Sequence, residues 1–107
     1  MNNIINKLDK IIADNGKKKP EESYSSQLLF KGTEKCAEKF GEEAVELIIA
    51  SLNKGNKDII HEAADTLFHL NVLIRSKNIS IEDVLLELSK REGISGLDEK
   101  KNRGNKR

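Results

Sequence analysis

The sequence contains few cysteine, proline and aromatic residues: one Cys, one Pro, one Tyr, three Phe and no Trp among 107 residues. A single cysteine, Cys36, excludes an internal disulfide and a cysteine-based zinc site, and it fits a reducing compartment such as the cytoplasm. Cys36 lies close to Ala37 and Phe40 in the sequence, so we expect it to be a small buried residue and not a nucleophile.

An excess of charge and a long apolar run are also missing. Nineteen Lys and Arg residues balance eighteen Asp and Glu residues, so bulk electrostatics indicates neither a nucleic-acid nor a membrane partner. No apolar run approaches the roughly 20 residues that span a bilayer, and no apolar signal segment follows the first residues. We expect one cytoplasmic domain over residues 1–107 with a modest core, ending in a polar, flexible tail at about 98–107.

The apolar residues recur with helical spacing, and no segment shows the alternation of a strand or an internal repeat. We therefore predict an all-α fold of about five helices. Capping residues and glycines predict the limits of these helices. The first helix spans 1–15 and the second 23–32. The third is capped by Thr33 and runs to about Lys54, the fourth runs from Asn56 or Asp58 to about Lys77, and the fifth begins at Ser80 and ends at Gly93.

The fourth helix is apolar on nearly all sides, which is typical of a central helix. Its apolar positions are Ile59, Ile60, Ala63, Ala64, Leu67, Phe68, Leu70, Val72, Leu73 and Ile74. Four short neighbours from one small chain cover such a helix incompletely. We therefore expect a homodimer in which the two long helices of each copy pair into a four-helix core.

Two pairs of carboxylates stand out on the long helices: Glu43 with Glu46, and Glu62 with Asp65. Residues three apart share one face of a helix. Carboxylates among apolar neighbours are costly unless a cation or a proton compensates them. Oxygen ligands suit a hard cation, so we predict a site for Mg²⁺, with Mn²⁺ as the second candidate. The alternative is a solvated acidic surface.

Other charged residues lie near these carboxylates. Lys39, Lys35 and Lys31 precede them at intervals of four, and a Lys placed four before a Glu is the weaker order for a helix pair. We expect these lysines to contact phosphate groups of a substrate. Glu42 is predicted either to orient a ligand or to act as the catalytic base for an attacking water, with plain surface as the alternative.

The two histidines lie on the same helix as the second carboxylate pair. His69 shares the face of Glu62 and Asp65; we expect a core histidine with its hydrogen bonds satisfied, and a bond to a ligand carboxylate is the alternative. His61 is expected to point away from the site and receives no role.

From Ser23 to about Arg103 the chain resembles phosphoribosyl-ATP pyrophosphohydrolase, an enzyme of histidine biosynthesis. The resemblance is carried by 20–24 (PEESY), 31–35 (KGTEK), 39–46 (KFGEEAVE), 62–70 (EAADTLFHL) and 91–97 (REGISGL). The wider group is the all-α nucleoside triphosphate pyrophosphohydrolases, whose E-x-x-E and E-x-x-D pattern supplies Mg²⁺ ligands. That pattern falls here on Glu43, Glu46, Glu62 and Asp65.

The resemblance implies a homodimeric enzyme that cleaves the α–β phosphoanhydride of phosphoribosyl-ATP, giving phosphoribosyl-AMP and pyrophosphate. It also implies that Arg91 and the Ser95–Gly96 turn contact the phosphoribosyl end of the substrate, with packing of this C-terminal segment on the partner subunit as the alternative. The chain departs from the family pattern at Glu22, where glycine is usual, at Asn71 in a normally apolar run, and at Lys101 in place of a small residue. None of these is one of the four carboxylates.

Two other functions remain open. A housecleaning or dUTP/dCTP pyrophosphohydrolase would use the same scaffold but would need aromatic or amide groups for the base, and aromatics are few here. A helical binding module would leave the acidic faces solvated and bind no metal. Nucleic-acid binding by the basic tail is disfavoured, because Asp98 and Glu99 offset its charge.

Overall fold

A computed structural model describes residues 2–92 of the chain. Within that range there are five α-helices and no strand, which confirms the all-α prediction. The elements are α1 (Asn2–Asn15), a short 3-10 turn (Pro20–Glu22), α2 (Tyr24–Lys31), α3 (Thr33–Asn53), α4 (Asn56–Arg75) and α5 (Ile81–Ser89). The fifth helix was predicted to run to Gly93, but α5 ends at Ser89 and residues 90–92 form a turn. The predictions for the Ser95–Gly96 turn and for the tail at 98–107 fall outside the described residues.

The helix ends follow from local chemistry, with one correction to a predicted cap. The Ser23 hydroxyl accepts from the Ser26 N–H at 3.0 Å and caps α2, and Gly32 ends that helix with a φ of +98° that glycine adopts easily. Thr33 does not cap α3, because Gly32 occupies the cap position. The Thr33 hydroxyl instead lies 3.0 Å from that of Ser76, which links the start of α3 to the end of α4.

The two long helices end slightly earlier than predicted, α3 at Asn53 and α4 at Arg75. They are joined only by residues 54–55 and run antiparallel. The Thr66 hydroxyl on α4 reaches the Glu43 carbonyl on α3 at 3.2 Å, and Glu46 and Glu62 line the same cleft. Each residue forward along α3 therefore corresponds to one residue back along α4.

The buried core lies where the first four helices meet and consists of Ile12, Leu28, Cys36 and Val72. Cys36 is 1% exposed and its thiol donates to the Leu28 carbonyl at 3.3 Å. This confirms the predicted buried cysteine. Desolvation by burial raises the pKa of the Cys36 thiol above its ordinary value.

A buried ion pair attaches α5 to the rest of the fold. Asp9 on α1 is only 4% exposed, and its Oδ2 lies 2.7 Å from Nη2 of Arg75 at the end of α4. The same oxygen accepts from the Ser80 hydroxyl at 3.2 Å and from the Ile81 N–H at 3.3 Å. One carboxylate therefore fixes the N-terminus of α5 against α1 and α4.

The α3–α4 hairpin leaves an apolar face exposed. Val45, Ile48, Ile49 and Leu52 on α3 have the spacing of one helical stripe, and Ile60 and Leu67 continue the exposed surface on α4. By helical spacing these residues lie on the other side of their own helix from Glu43 or Asp65, and Ile49 also borders the cleft lined by Glu46 and Glu62. The apolar side chains that surround α4 are thus only partly buried by the helices of one chain.

Candidate metal and phosphate site

The register of the hairpin brings the two carboxylate pairs to the same level. Glu43 lies beside the turn that holds Asp65 and Thr66, and Glu46 lies level with Glu62 across a cleft of about 160 Å³. Glu43, Glu62 and Asp65 are half-buried and Glu46 is exposed. The four predicted ligands therefore border one short segment of the hairpin, reached from solvent.

The donor set suits a hard divalent cation. Four carboxylates on facing helix turns provide the oxygen ligands that Mg²⁺ and Mn²⁺ take. In the described part of the chain, the closest cluster of three or more potential ligands is His61, Glu62 and Asp65, whose ligand atoms all lie within 4.8 Å of one another. Glu43 and Glu46 lie across the hairpin from this cluster.

His61 was expected to point away, and the structure places it differently. Its Nε2 lies 3.3 Å from Oδ2 of Asp65, one helical turn further along α4. The spacing of four residues between the two was the signal in the sequence that would have indicated this contact.

The predicted lysines engage acidic neighbours on their own helix. Lys39 Nζ lies 3.2 Å from Glu42, and Lys35 Nζ lies 3.3 Å from Glu38. The hydrogen bond from Lys39 to Glu42, together with the charge of that carboxylate, raises the pKa of Lys39. Lys39 is therefore a cation at neutral pH, one turn before Glu43 on the same side of α3.

The other two predicted cations lie on different elements. Lys31 is exposed at the end of α2, where it lines an open cleft with Phe30. Arg91 follows α5, and its Nη2 lies 3.5 Å from Oε1 of Glu87. Lys35 and Lys39 are thus the two predicted cations that share a helix with Glu43 and Glu46.

An aromatic cluster borders the site. The Tyr24 ring stacks on Phe68 with centroids 6.2 Å apart, and His69 meets both rings edge-on at 5.8 Å and 5.2 Å. His69 is buried as expected, but its Nδ1 has no hydrogen-bond partner among the described residues. The prediction for His69 is therefore confirmed for its burial and wrong for the hydrogen bonding of Nδ1. Tyr24, half-exposed and placed by the Ser23 cap, had not been assigned to the site.

An antiparallel helix pair with facing E-x-x-E and E-x-x-D turns defines the class of all-α nucleoside triphosphate pyrophosphohydrolases. The sequence profile of one family in it, described as phosphoribosyl-ATP pyrophosphohydrolase, matches residues 5–92. The chain belongs to this family.

Individual relatives agree with this assignment. A phosphoribosyl-ATP pyrophosphatase of Rhodobacter capsulatus is 51% identical over 79% of this chain and 82% of its own length. One of Erythrobacter litoralis is 45% identical over 95% of this chain and 98% of its own length. One of Paracoccus denitrificans is 48% identical over 92% of each chain. The similarity to each therefore covers most of both chains.

Proposed function

We propose that this protein hydrolyses the α–β phosphoanhydride of phosphoribosyl-ATP, releasing pyrophosphate and phosphoribosyl-AMP in the pathway of histidine biosynthesis. Membership of the family identifies the substrate class. The observation that supports the reaction is the register of α3 and α4, which brings Glu43 and Glu46 opposite Asp65 and Glu62. The reaction consumes one water, breaks one P–O–P bond and changes no oxidation state.

We propose that these four carboxylates hold Mg²⁺, or Mn²⁺ in its place. When bound, the cation neutralises phosphate oxygens and makes a nearby water more acidic. The hydrogen bond from Thr66 to the Glu43 carbonyl keeps the two helix turns at a fixed separation. Such preorganisation lowers the cost of gathering four like charges around one ligand.

The chain's own cations are then assigned to the substrate. Lys39 and Lys35 hold oxygens of the triphosphate, exchanging their surface partners Glu42 and Glu38 for stronger charge-assisted bonds to phosphate. Release of Lys39 frees the Glu42 carboxylate to accept the proton of the attacking water. Lys31 is proposed for a further phosphate contact, and Arg91 is proposed for the phosphoribosyl end, which the family resemblance implies for Arg91.

The apolar face of the hairpin supports a homodimer. Exposed apolar patches beyond a few hundred Å² are rare on monomers, and this face contains two helical stripes that include Ile48 and Leu67. Packing it against a second copy gives the four-helix core.

No described helix is long and apolar enough to cross a membrane. We propose a cytoplasmic protein because a single buried cysteine fits a reducing compartment.

The experiment that tests the activity is pyrophosphate release from phosphoribosyl-ATP, with and without Mg²⁺, beside dUTP, dCTP and ATP. We expect metal-dependent release from phosphoribosyl-ATP alone. Release mainly from a deoxynucleotide would preserve the metal site but make the protein a housecleaning enzyme. No release from any of them would favour a helical binding module.

A further inference from the structure

We propose that His61 is an additional, nitrogen ligand of the cation site, and that it makes this site prefer Mn²⁺ and related first-row cations over Mg²⁺. The inference rests on the metal site of the proposed function. It concerns a residue that lies outside the E-x-x-E and E-x-x-D pattern and that immediately precedes Glu62 on α4.

The distances are those of neighbouring ligands. With metal–ligand bonds of about 2.1 Å, two ligand atoms at right angles lie about 3.0 Å apart and two opposite ones about 4.2 Å apart. His61 Nε2 and Asp65 Oδ2 are 3.3 Å apart, close to the right-angle value. The ligand atoms of His61, Glu62 and Asp65 all lie within 4.8 Å, so small side-chain rotations bring them around one ion.

Helical geometry explains why the three residues converge. His61 and Asp65 are four residues apart and share one face of α4. Glu62 directly follows His61 and lies on the other side of Asp65 around the helix. Asp65 therefore stands between an imidazole and a second carboxylate. The His61 side chain is 71% exposed, so it is free to turn toward an ion without disturbing the core.

The simpler interpretation is a surface ion pair between His61 and Asp65. Such an exposed pair contributes little energy, and it changes the Mg²⁺ and Mn²⁺ affinities by the same small factor, because either ion displaces His61 from Asp65. A ligand acts differently on the two ions, because imidazole suits first-row transition ions whereas Mg²⁺ takes oxygen ligands and water. The ratio of the two affinities therefore separates the interpretations.

The test uses Mn²⁺ itself as the probe, added with pyrophosphate to the full chain. Electron spin-echo modulation reports whether a nitrogen nucleus is bonded to the Mn²⁺ ion. Three proteins are compared: the unchanged chain, His61→Gln and His69→Gln. His69→Gln is the matched control, because His61 and His69 are the two histidines of the sequence. Calorimetric titration gives the Mn²⁺ and Mg²⁺ affinities of the same proteins.

We expect nitrogen coupling in the unchanged chain and in His69→Gln, and its loss in His61→Gln. Mn²⁺ affinity should fall on the order of tenfold in His61→Gln, in the range found when metal-site residues are replaced, while Mg²⁺ affinity stays within about twofold. Bound Mn²⁺ without nitrogen coupling overturns this inference and leaves the proposed function intact. Failure of Mn²⁺ to bind, together with metal-independent pyrophosphate release, overturns both.

Discussion

The hydroxyl of Thr66 lies 3.2 Å from the carbonyl oxygen of Glu43 and 2.8 Å from that of Glu62, so one side chain contacts both carboxylate-bearing turns. Threonine commonly bonds back to the carbonyl four residues earlier in its own helix. The contact with Glu43 is the unusual one, because it crosses between helices. It lies at the level at which the two acidic turns meet.

We predict that Thr66→Val lowers kcat for pyrophosphate release on the order of tenfold, the typical effect of losing a group that orients metal ligands. Valine keeps the shape and removes the hydroxyl. Thr66→Ser keeps the hydroxyl and should retain most of the turnover. Equal kcat values for the two variants would show that the hydroxyl serves only the bond within α4.

The carboxylates themselves should be required for turnover but not for folding. We predict that Glu43→Gln and Asp65→Asn each lower kcat/KM on the order of 100-fold or more, the scale on which loss of one electrostatic stabiliser acts. Far-ultraviolet circular dichroism should remain unchanged, because removing a like charge from the site does not destabilise the helices. Asp83→Asn, which changes an exposed carboxylate on α5, is the control and should be fully active. Full activity in both site variants would refute the assignment of the ligands.

The proposal that the apolar face of the hairpin is a dimer interface can be tested by the molar mass of the protein in solution. Ile48 on α3 is 58% exposed and Leu88 on α5 is 54% exposed. We predict that the unchanged chain has twice the mass of one chain by light scattering, and that Ile48→Glu, which buries a charge in the proposed interface, has the mass of one. Leu88→Glu, equally exposed on another helix, should remain a dimer. A monomeric unchanged chain would contradict the proposed interface.

Features that depend on local sequence were predictable. Helical spacing predicted five helices, the Ser23 cap and Gly32 predicted the limits of α2, and spacing of three grouped the carboxylates into pairs. The facing of the two pairs depends on the register of α3 against α4, which no local pattern specifies. The contact between Asp9 and Arg75 was also not predicted, because these residues are 66 positions apart and charged pairs of that separation have no sequence signature.

The burial of Cys36 predicts a specific dependence of stability on pH. Desolvation raises the pKa of the thiol in the folded chain above the ordinary value of 9.0 that applies when the chain is unfolded. The thiol of the unfolded chain therefore loses its proton first. The contribution of Cys36 to the free energy of unfolding is constant below the unfolded pKa and falls as pH rises past it toward the folded pKa. Urea unfolding from about pH 7 to about pH 10 measures this fall.

Cys36→Ala should lower stability by about 1 kcal/mol at neutral pH through the lost contacts of the sulfur. Because the variant lacks the thiol, the difference in stability between the two proteins should shrink as pH rises past the unfolded pKa. The raised pKa of Lys39 acts in the same direction, but it is present in both proteins and cancels in the difference between them. A constant difference between the two proteins across the whole range would mean that the buried thiol ionises as readily in the folded chain as in the unfolded one.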